Sequence, residues 1–100
     1  MAKQSVDGED RGSIQLYALS TCVWCKMTKA LLEKMNIGFD YVYVDQLQGE
    51  EKEQALEEVK RWNPKCSFPS LVVHGKKCVI GYKEDEIKEA IDTVWTARRA

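Results

Sequence analysis

Residues 14–38, IQLYALSTCVWCKMTKALLEKMNIG, decide how this chain folds. Residues 14–19 (IQLYAL) are apolar and aromatic enough for a β-strand. Ser20 and Thr21 follow as candidate N-caps of a helix. In that helix Trp24, Met27, Thr28, Leu31, Leu32 and Met35 recur at three- and four-residue steps, which predicts an inward stripe. Lys26, Lys29, Glu33 and Lys34 mostly face outward. Asn36 and Gly38 tolerate positive φ and end the helix. Strand, turn and helix thus deliver Cys22 and Cys25 to one helical first turn.

Outward from this unit, residues 39–44 (FDYVYV) form the clearest strand, and residues 45–49 a polar break. A charged helix over about 50–62 turns Ala55, Leu56, Val59 and Trp62 to its apolar side, and Asn63-Pro64 stops it. A loop then leads through Pro69 into a strand at 70–74. A tight turn at Gly75-Lys76 or Lys76-Lys77 returns the chain along 78–80. Gly81 breaks that run. The last helix begins near Lys83, with Glu84, Asp85 and Glu86 at its positive end and Arg98 and Arg99 at its negative end. Its expected stripe is Ile87, Ala90, Ile91, Val94 and Trp95. Residues 1–13 carry no apolar period and read as a flexible leader before a single domain over 14–100. The order β-α-β-α-β-β-α predicts an α/β fold: a parallel βαβ unit, an antiparallel hairpin, and a four-stranded mixed sheet between helices.

Composition narrows the function. One hundred residues form one domain. Fifteen Lys and Arg against sixteen Asp and Glu leave a net charge of -1, without the basic excess of a nucleic-acid binder. No stretch approaches the roughly 20 apolar residues that span a bilayer. The first twelve residues, MAKQSVDGEDRG, lack the apolar core of a secretory signal, so a cytoplasmic protein, without membrane partner and working as a monomer, is expected. In that compartment the four cysteines, Cys22, Cys25, Cys66 and Cys78, read as redox-active, metal-binding or buried thiols rather than as a disulfide framework.

Only Cys22 and Cys25 stand in a recognised spacing. A thiol attacks a disulfide as its thiolate, and a free thiol is mostly protonated at neutral pH. The N–H groups and dipole of a helix N-terminus stabilise negative charge by about 0.3–1 kcal/mol, up to about 2 when partly buried. Cys22 occupies that place and is the expected nucleophile. Cys25, three residues on, shares its face and can displace a target bound to Cys22. The spacing also occurs in zinc sites, but Cys66 and Cys78 are separated by eleven residues and His74 has no partner histidine. Strand, turn and helix therefore favour redox chemistry over metal.

Cys-Val-Trp-Cys after a short strand, Phe-Pro-Ser-Leu-Val-Val before a hairpin, and Gly-Tyr before the last helix together resemble the glutaredoxin family of the thioredoxin superfamily, over about residues 14–95. The chain looks most like the small glutaredoxin-like redoxins of anaerobic bacteria and archaea. The resemblance implies a thioredoxin-like fold and dithiol–disulfide oxidoreductase activity in redox homeostasis and electron transfer, with Cys22 and Cys25 catalytic. It implies a cis peptide at Phe68-Pro69, whose backbone meets an extended disulfide, and a substrate surface of Val23, Trp24, Phe68, Pro69, Gly81 and Tyr82. Substrates would be disulfide-containing proteins or small thiol disulfides. No bound cofactor is implied; glutathione, another thiol or a disulfide reductase would supply electrons.

The chain departs from the family pattern at three places. Val23 and Trp24 replace the usual Pro and aromatic residue. Ala18 to Thr21 stand where many members carry a glutathione-holding lysine. Tyr82 and Lys83 replace a second glycine and the polar residues that cradle a γ-glutamyl end. A protein disulfide or another small thiol therefore fits at least as well as glutathione. Two other functions are consistent with the same residues: an iron–sulfur or metal carrier using Cys22 with external thiols, and a non-catalytic binding module. Cys66, near Pro69 in sequence, is either a third redox thiol or a small buried residue; Cys78 is expected to be structural, and His74 a solvated turn residue. Trp24 either shapes substrate access or anchors its helix.

Overall fold

The computed structural model describes residues 4–8, 13–65, 67–75 and 77–99; the side chains of Gln4 and of residues 92–99 are outside that description. Its elements run β1 (Gln4–Val6), β2 (Ile14–Ala18), α1 (Val23–Lys34), β3 (Phe39–Tyr43), a 3₁₀ turn (Val44–Gln46), α2 (Gly49–Trp62), β4 (Ser70–Val73), β5 (Lys77–Ile80) and α3 (Glu84–Arg99). The fold is thioredoxin-like, and the expected order from β2 onward is present.

The sheet order is β1-β3-β2-β4-β5. β2 and β3 are parallel, with Leu16 opposite Tyr41; β4 and β5 pair antiparallel, with Leu71 opposite Val79. The expected sheet of four strands is corrected to five. The added strand lies in the stretch read as leader, where Gln4, Ser5 and Val6 pair antiparallel with Tyr41, Asp40 and Phe39. Its three residues are too short and too polar for a hydrophobic period; the open edge of β3 supplies their hydrogen bonds. A further sequence cue is Gly8. A Cβ there would meet the Ile37 carbonyl carbon at 2.6 Å, so backbone passes against backbone.

Alternation along the strands divides the core into two. Ile14, Leu16, Ala18, Phe39, Tyr41, Leu71 and Val73 face α1 and α3, which contribute Cys25, Leu31, Leu32, Ile87, Ala90 and Ile91. Tyr17, Val42 and Val72 point the other way and cluster with Ala55 and Val59 of α2. Central strands buried on both faces read as the continuous apolar runs seen in the sequence. Val94 and Trp95, expected in the α3 stripe, lie outside the described side chains.

α1 ends at Asn36 as its sequence predicts, whereas Gly38 takes no positive φ and instead lies against the Gly8 backbone. Asn36 takes φ 56°, and the Asn36 and Ile37 N–H groups donate to Glu33 and Leu32 carbonyls at 3.0 and 3.2 Å. This is the Schellman arrangement, closed by Leu32 and Ile37 in the core. The turn between β4 and β5 is centred earlier than expected, at His74 and Gly75, both at positive φ. His74 is half-buried rather than fully solvated.

Candidate active site

The first correction at the site concerns what starts α1. Neither Ser20 nor Thr21 caps the helix; Cys22 does, in extended conformation, and its Sγ accepts the Cys25 N–H at 3.2 Å. The sulfur thereby takes the place of the usual capping oxygen. It also sits at the positive end of a helix whose first turn holds no acidic residue. Cys22 is half-buried, and Cys25, one turn deeper, is only 1% exposed. Both are free thiols.

Burial pushes the Cys25 thiol up to about 12, helped by its hydrogen bond to Cys22 and the nearby Cys22 and Asp45 charges. The Leu19 N–H, 3.5 Å from Cys25 Sγ, acts in the opposite direction. Thus the pair is unequal by position: one sulfur is partly accessible at a helix mouth, the other is shielded and protonated.

The peptide bond Phe68-Pro69 is cis, and Pro69 is fully buried. Buried Asn63 holds the approach to it. Its amide nitrogen donates to the Ser67 hydroxyl at 2.8 Å and carbonyl at 3.3 Å, while its oxygen accepts the Lys65 N–H at 3.2 Å. The Ser70 hydroxyl closes the loop onto the Ser67 carbonyl at 2.8 Å. Cys66, expected in this loop, lies outside the described residues.

Beside the cis-proline lies a groove of about 270 Å³, lined by Trp24, Phe68, Pro69, Gly81, Tyr82 and Lys83. Trp24 and Tyr82 stack with ring centroids 6.1 Å apart. The Gly81 N–H donates to the Pro69 carbonyl at 2.9 Å, joining the two loops that flank the groove. Five of the six residues anticipated as substrate surface therefore come together. Val23 stands apart from the groove on the exposed start of α1, 65% accessible. Trp24 and Met27 are also exposed, at 58% and 40%, so the inward stripe expected of them is corrected. A 3.6-residue period marks apolar residues without distinguishing the core from a cleft.

Lys83, read in the sequence as a helix start and as a departure from the family's ligand cradle, lines the groove without having been counted in the substrate surface, and sequence reasoning misses the contact between Ser20 and Asp45. The Ser20 N–H donates to Asp45 Oδ1 at 2.9 Å and its hydroxyl to Oδ2. No spacing signal links residues 25 positions apart. Cys78 is half-buried on β5, and burial raises its thiol above the ordinary range. Among the described residues no group of three or more His, Cys, Asp or Glu could hold a metal ion, and no helix is long and apolar enough to cross a membrane.

A family model for glutaredoxin matches residues 14–79, which contain both cysteines and the cis-proline. The chain belongs to the glutaredoxin family. A glutaredoxin-like 8.6 kDa protein from the rubredoxin operon of Clostridium pasteurianum is 32% identical over 79 residues, covering 79% of this chain and 97% of that one. The glutaredoxin of Methanosarcina mazei Go1 superposes with a TM-score of 0.85 at 50% identity, over 91% of this chain and 88% of its own. Methanoredoxin of Methanosarcina acetivorans gives 0.81 at 50% identity, over 84% and 88%. These matches agree with the narrower resemblance to redoxins of anaerobic bacteria and archaea. Glutaredoxin-family proteins are generally thiol–disulfide oxidoreductases, and the paired cysteines support a redox role for this member.

Proposed function

We propose that this protein reduces disulfides by a dithiol mechanism, with Cys22 as nucleophile and Cys25 as resolving thiol. The observation that carries the reading is the unequal pair: Cys22 Sγ capping α1 while buried Cys25 stands one turn behind it. The Cys22 thiolate attacks one sulfur of a substrate disulfide, forming a mixed disulfide and expelling the other sulfur as a thiolate. The negative charge on Cys22 is then gone, and with it part of what keeps Cys25 protonated. Cys25 loses its proton to solvent or to the departing thiolate and attacks Cys22 Sγ. The Cys22–Cys25 bond forms, the mixed disulfide breaks, and the substrate leaves reduced by two electrons. Regeneration requires an external dithiol or two thiols, supplied by glutathione, another small thiol or a disulfide reductase; no resident cofactor takes part.

The cis-proline loop and the groove beside it provide the substrate surface. Phe68 offers backbone to an extended chain, and Trp24 and Tyr82 form aromatic walls that favour apolar residues next to the disulfide. Disulfide-containing proteins in the cytoplasm, met by a monomer, are the substrates this surface fits best. A reduction assay with insulin and with a glutathione mixed disulfide, run with several electron donors, tests the reading. Cys22→Ser should abolish turnover, and Cys25→Ser should accumulate mixed disulfides on Cys22. Dithiol turnover undiminished in either variant would refute the mechanism.

A further inference from the structure

Asp45 takes no part in the chemistry above, yet its carboxylate accepts both polar hydrogens of Ser20. Those contacts fix a segment that touches both cysteines. The Leu19 carbonyl, in the same peptide as the Ser20 N–H, accepts the Cys22 N–H at 3.2 Å. One peptide earlier, the Leu19 N–H points at Cys25 Sγ from 3.5 Å. A carboxylate on the 3₁₀ turn after β3 thus anchors the short strand-to-helix connection on which both sulfurs rest.

We propose that Asp45, acting with Ser20, is a positioning residue for the release step: it holds the Leu19–Ser20 segment against the two sulfurs, and its negative charge opposes formation of the Cys25 thiolate. The inference rests on Cys25 being the resolving thiol. Among the described residues, Cys22 on its own helix and Asp45 on the 3₁₀ turn are the titratable groups that act on the Cys25 charge, and the cluster that buries Cys25 also holds Tyr41 of β3, with Tyr43 and Tyr82 packed against it. The cluster around it from β2, β4 and α3, including Ala18, Leu71 and Ile87, is apolar. Lys52 of α2 is the cation that acts on Asp45. The Ser20 hydrogen bonds hold the Asp45 carboxyl below the usual carboxylate range, so the charge is present at neutral pH. Anchored N–H and anchoring charge therefore oppose each other at Cys25: the first favours its thiolate, the second disfavours it.

The test follows release of nitrothiobenzoate when the reduced protein meets dithiobis(nitrobenzoate). Attack by any free thiol on the reagent scales with reagent concentration; displacement by Cys25 from Cys22 does not. The pH dependence of that concentration-independent phase reports Cys25. Asp45→Asn removes the charge and keeps an amide oxygen for the Ser20 N–H. Its inflection should move down by roughly 0.3–1 pH unit, making release about 1.4- to 4-fold faster at neutral pH once the lower nucleophilicity of a more acidic thiol is counted. Ser20→Ala keeps the charge but loosens the anchor on the Leu19 N–H, so release should slow at neutral pH and the inflection should rise rather than fall.

An Asp45→Asn inflection identical to wild type, or displaced upward, overturns the electrostatic half of the proposal. Unchanged release in Ser20→Ala overturns the positioning half. Circular dichroism and thermal melting establish that each variant is folded. If Asp45→Asn is not, the wild-type inflection should still fall between low salt and about 1 M salt, where the charge is screened, and an insensitive inflection overturns the idea. Absence of any concentration-independent phase in wild type would instead count against Cys25 as resolving thiol.

Discussion

Replacing Cys25 with alanine should change how the reduced protein responds to alkali. In the fold the Cys25 thiol is pushed up to about 12 by burial, by Cys22 and by Asp45, against an ordinary value of 9.0. Between those limits the unfolded chain has released this proton while the folded chain retains it. Unfolding therefore releases a proton, and rising pH favours the unfolded state at about 1.4 kcal/mol per pH unit. By about pH 10.5 this one thiol destabilises the reduced protein by about 2 kcal/mol relative to neutral pH. Tyr17 and Cys78, also raised by burial, titrate in wild type and variant alike. The difference between the two proteins isolates Cys25. Urea unfolding with a phosphine reductant at about pH 7.5, 9 and 10.5 measures it: the wild-type stability should fall further than that of Cys25→Ala by about 2 kcal/mol. Parallel loss of stability in both proteins across this range would refute the account of a buried, protonated resolving thiol. Oxidation supplies a control, since a Cys22–Cys25 disulfide has no thiol proton to lose.

Three further outcomes follow from the site. Asn63→Ala removes the bonds by which a buried side chain ties down Ser67 and Lys65 ahead of the cis-proline, so thermal or urea unfolding should show a loss of about 1–3 kcal/mol together with slower disulfide reduction. Gly81 holds φ +86°, and a methyl group on its Cα would meet nothing within 4 Å, so Gly81→Ala should cost about 1–3 kcal/mol in urea unfolding through backbone strain alone. Trp24→Ala removes a groove wall that is mostly exposed; stability should stay within about 0.5 kcal/mol while KM for a protein disulfide rises.

Much of this architecture is legible in the sequence because its strands and helices carry strong local patterns. Residues 39–43 carry a β pattern that the structure keeps, although Val44, read as the last strand residue, opens the 3₁₀ turn, and Asn36 marks the end of α1 through backbone tolerance alone. The cysteine spacing and the downstream proline carry the site. What the sequence conceals are features made by distant segments meeting. β1 has no apolar alternation, since the edge of β3 rather than a hydrophobic face determines its pairing. Asp45 sits in a polar break like any other, and only the fold brings Ser20 to it. Trp24 and Met27 obey the helical period yet are exposed, Trp24 as a wall of the groove. Conversely, capping preferences direct attention to the hydroxyl residues before α1, when the nucleophilic sulfur itself supplies the cap.

The bond from the Gly81 N–H to the Pro69 carbonyl makes the groove a main-chain frame with exchangeable tiles. Its span is set by a main-chain N–H and a main-chain carbonyl, whereas its chemistry is set by the side chains at 24, 68, 82 and 83. Mutation can therefore repaint the walls for a new class of disulfide without resetting the opening or disturbing the sulfurs beside it. A scaffold arranged in this way lets partner choice drift while the reaction stays put.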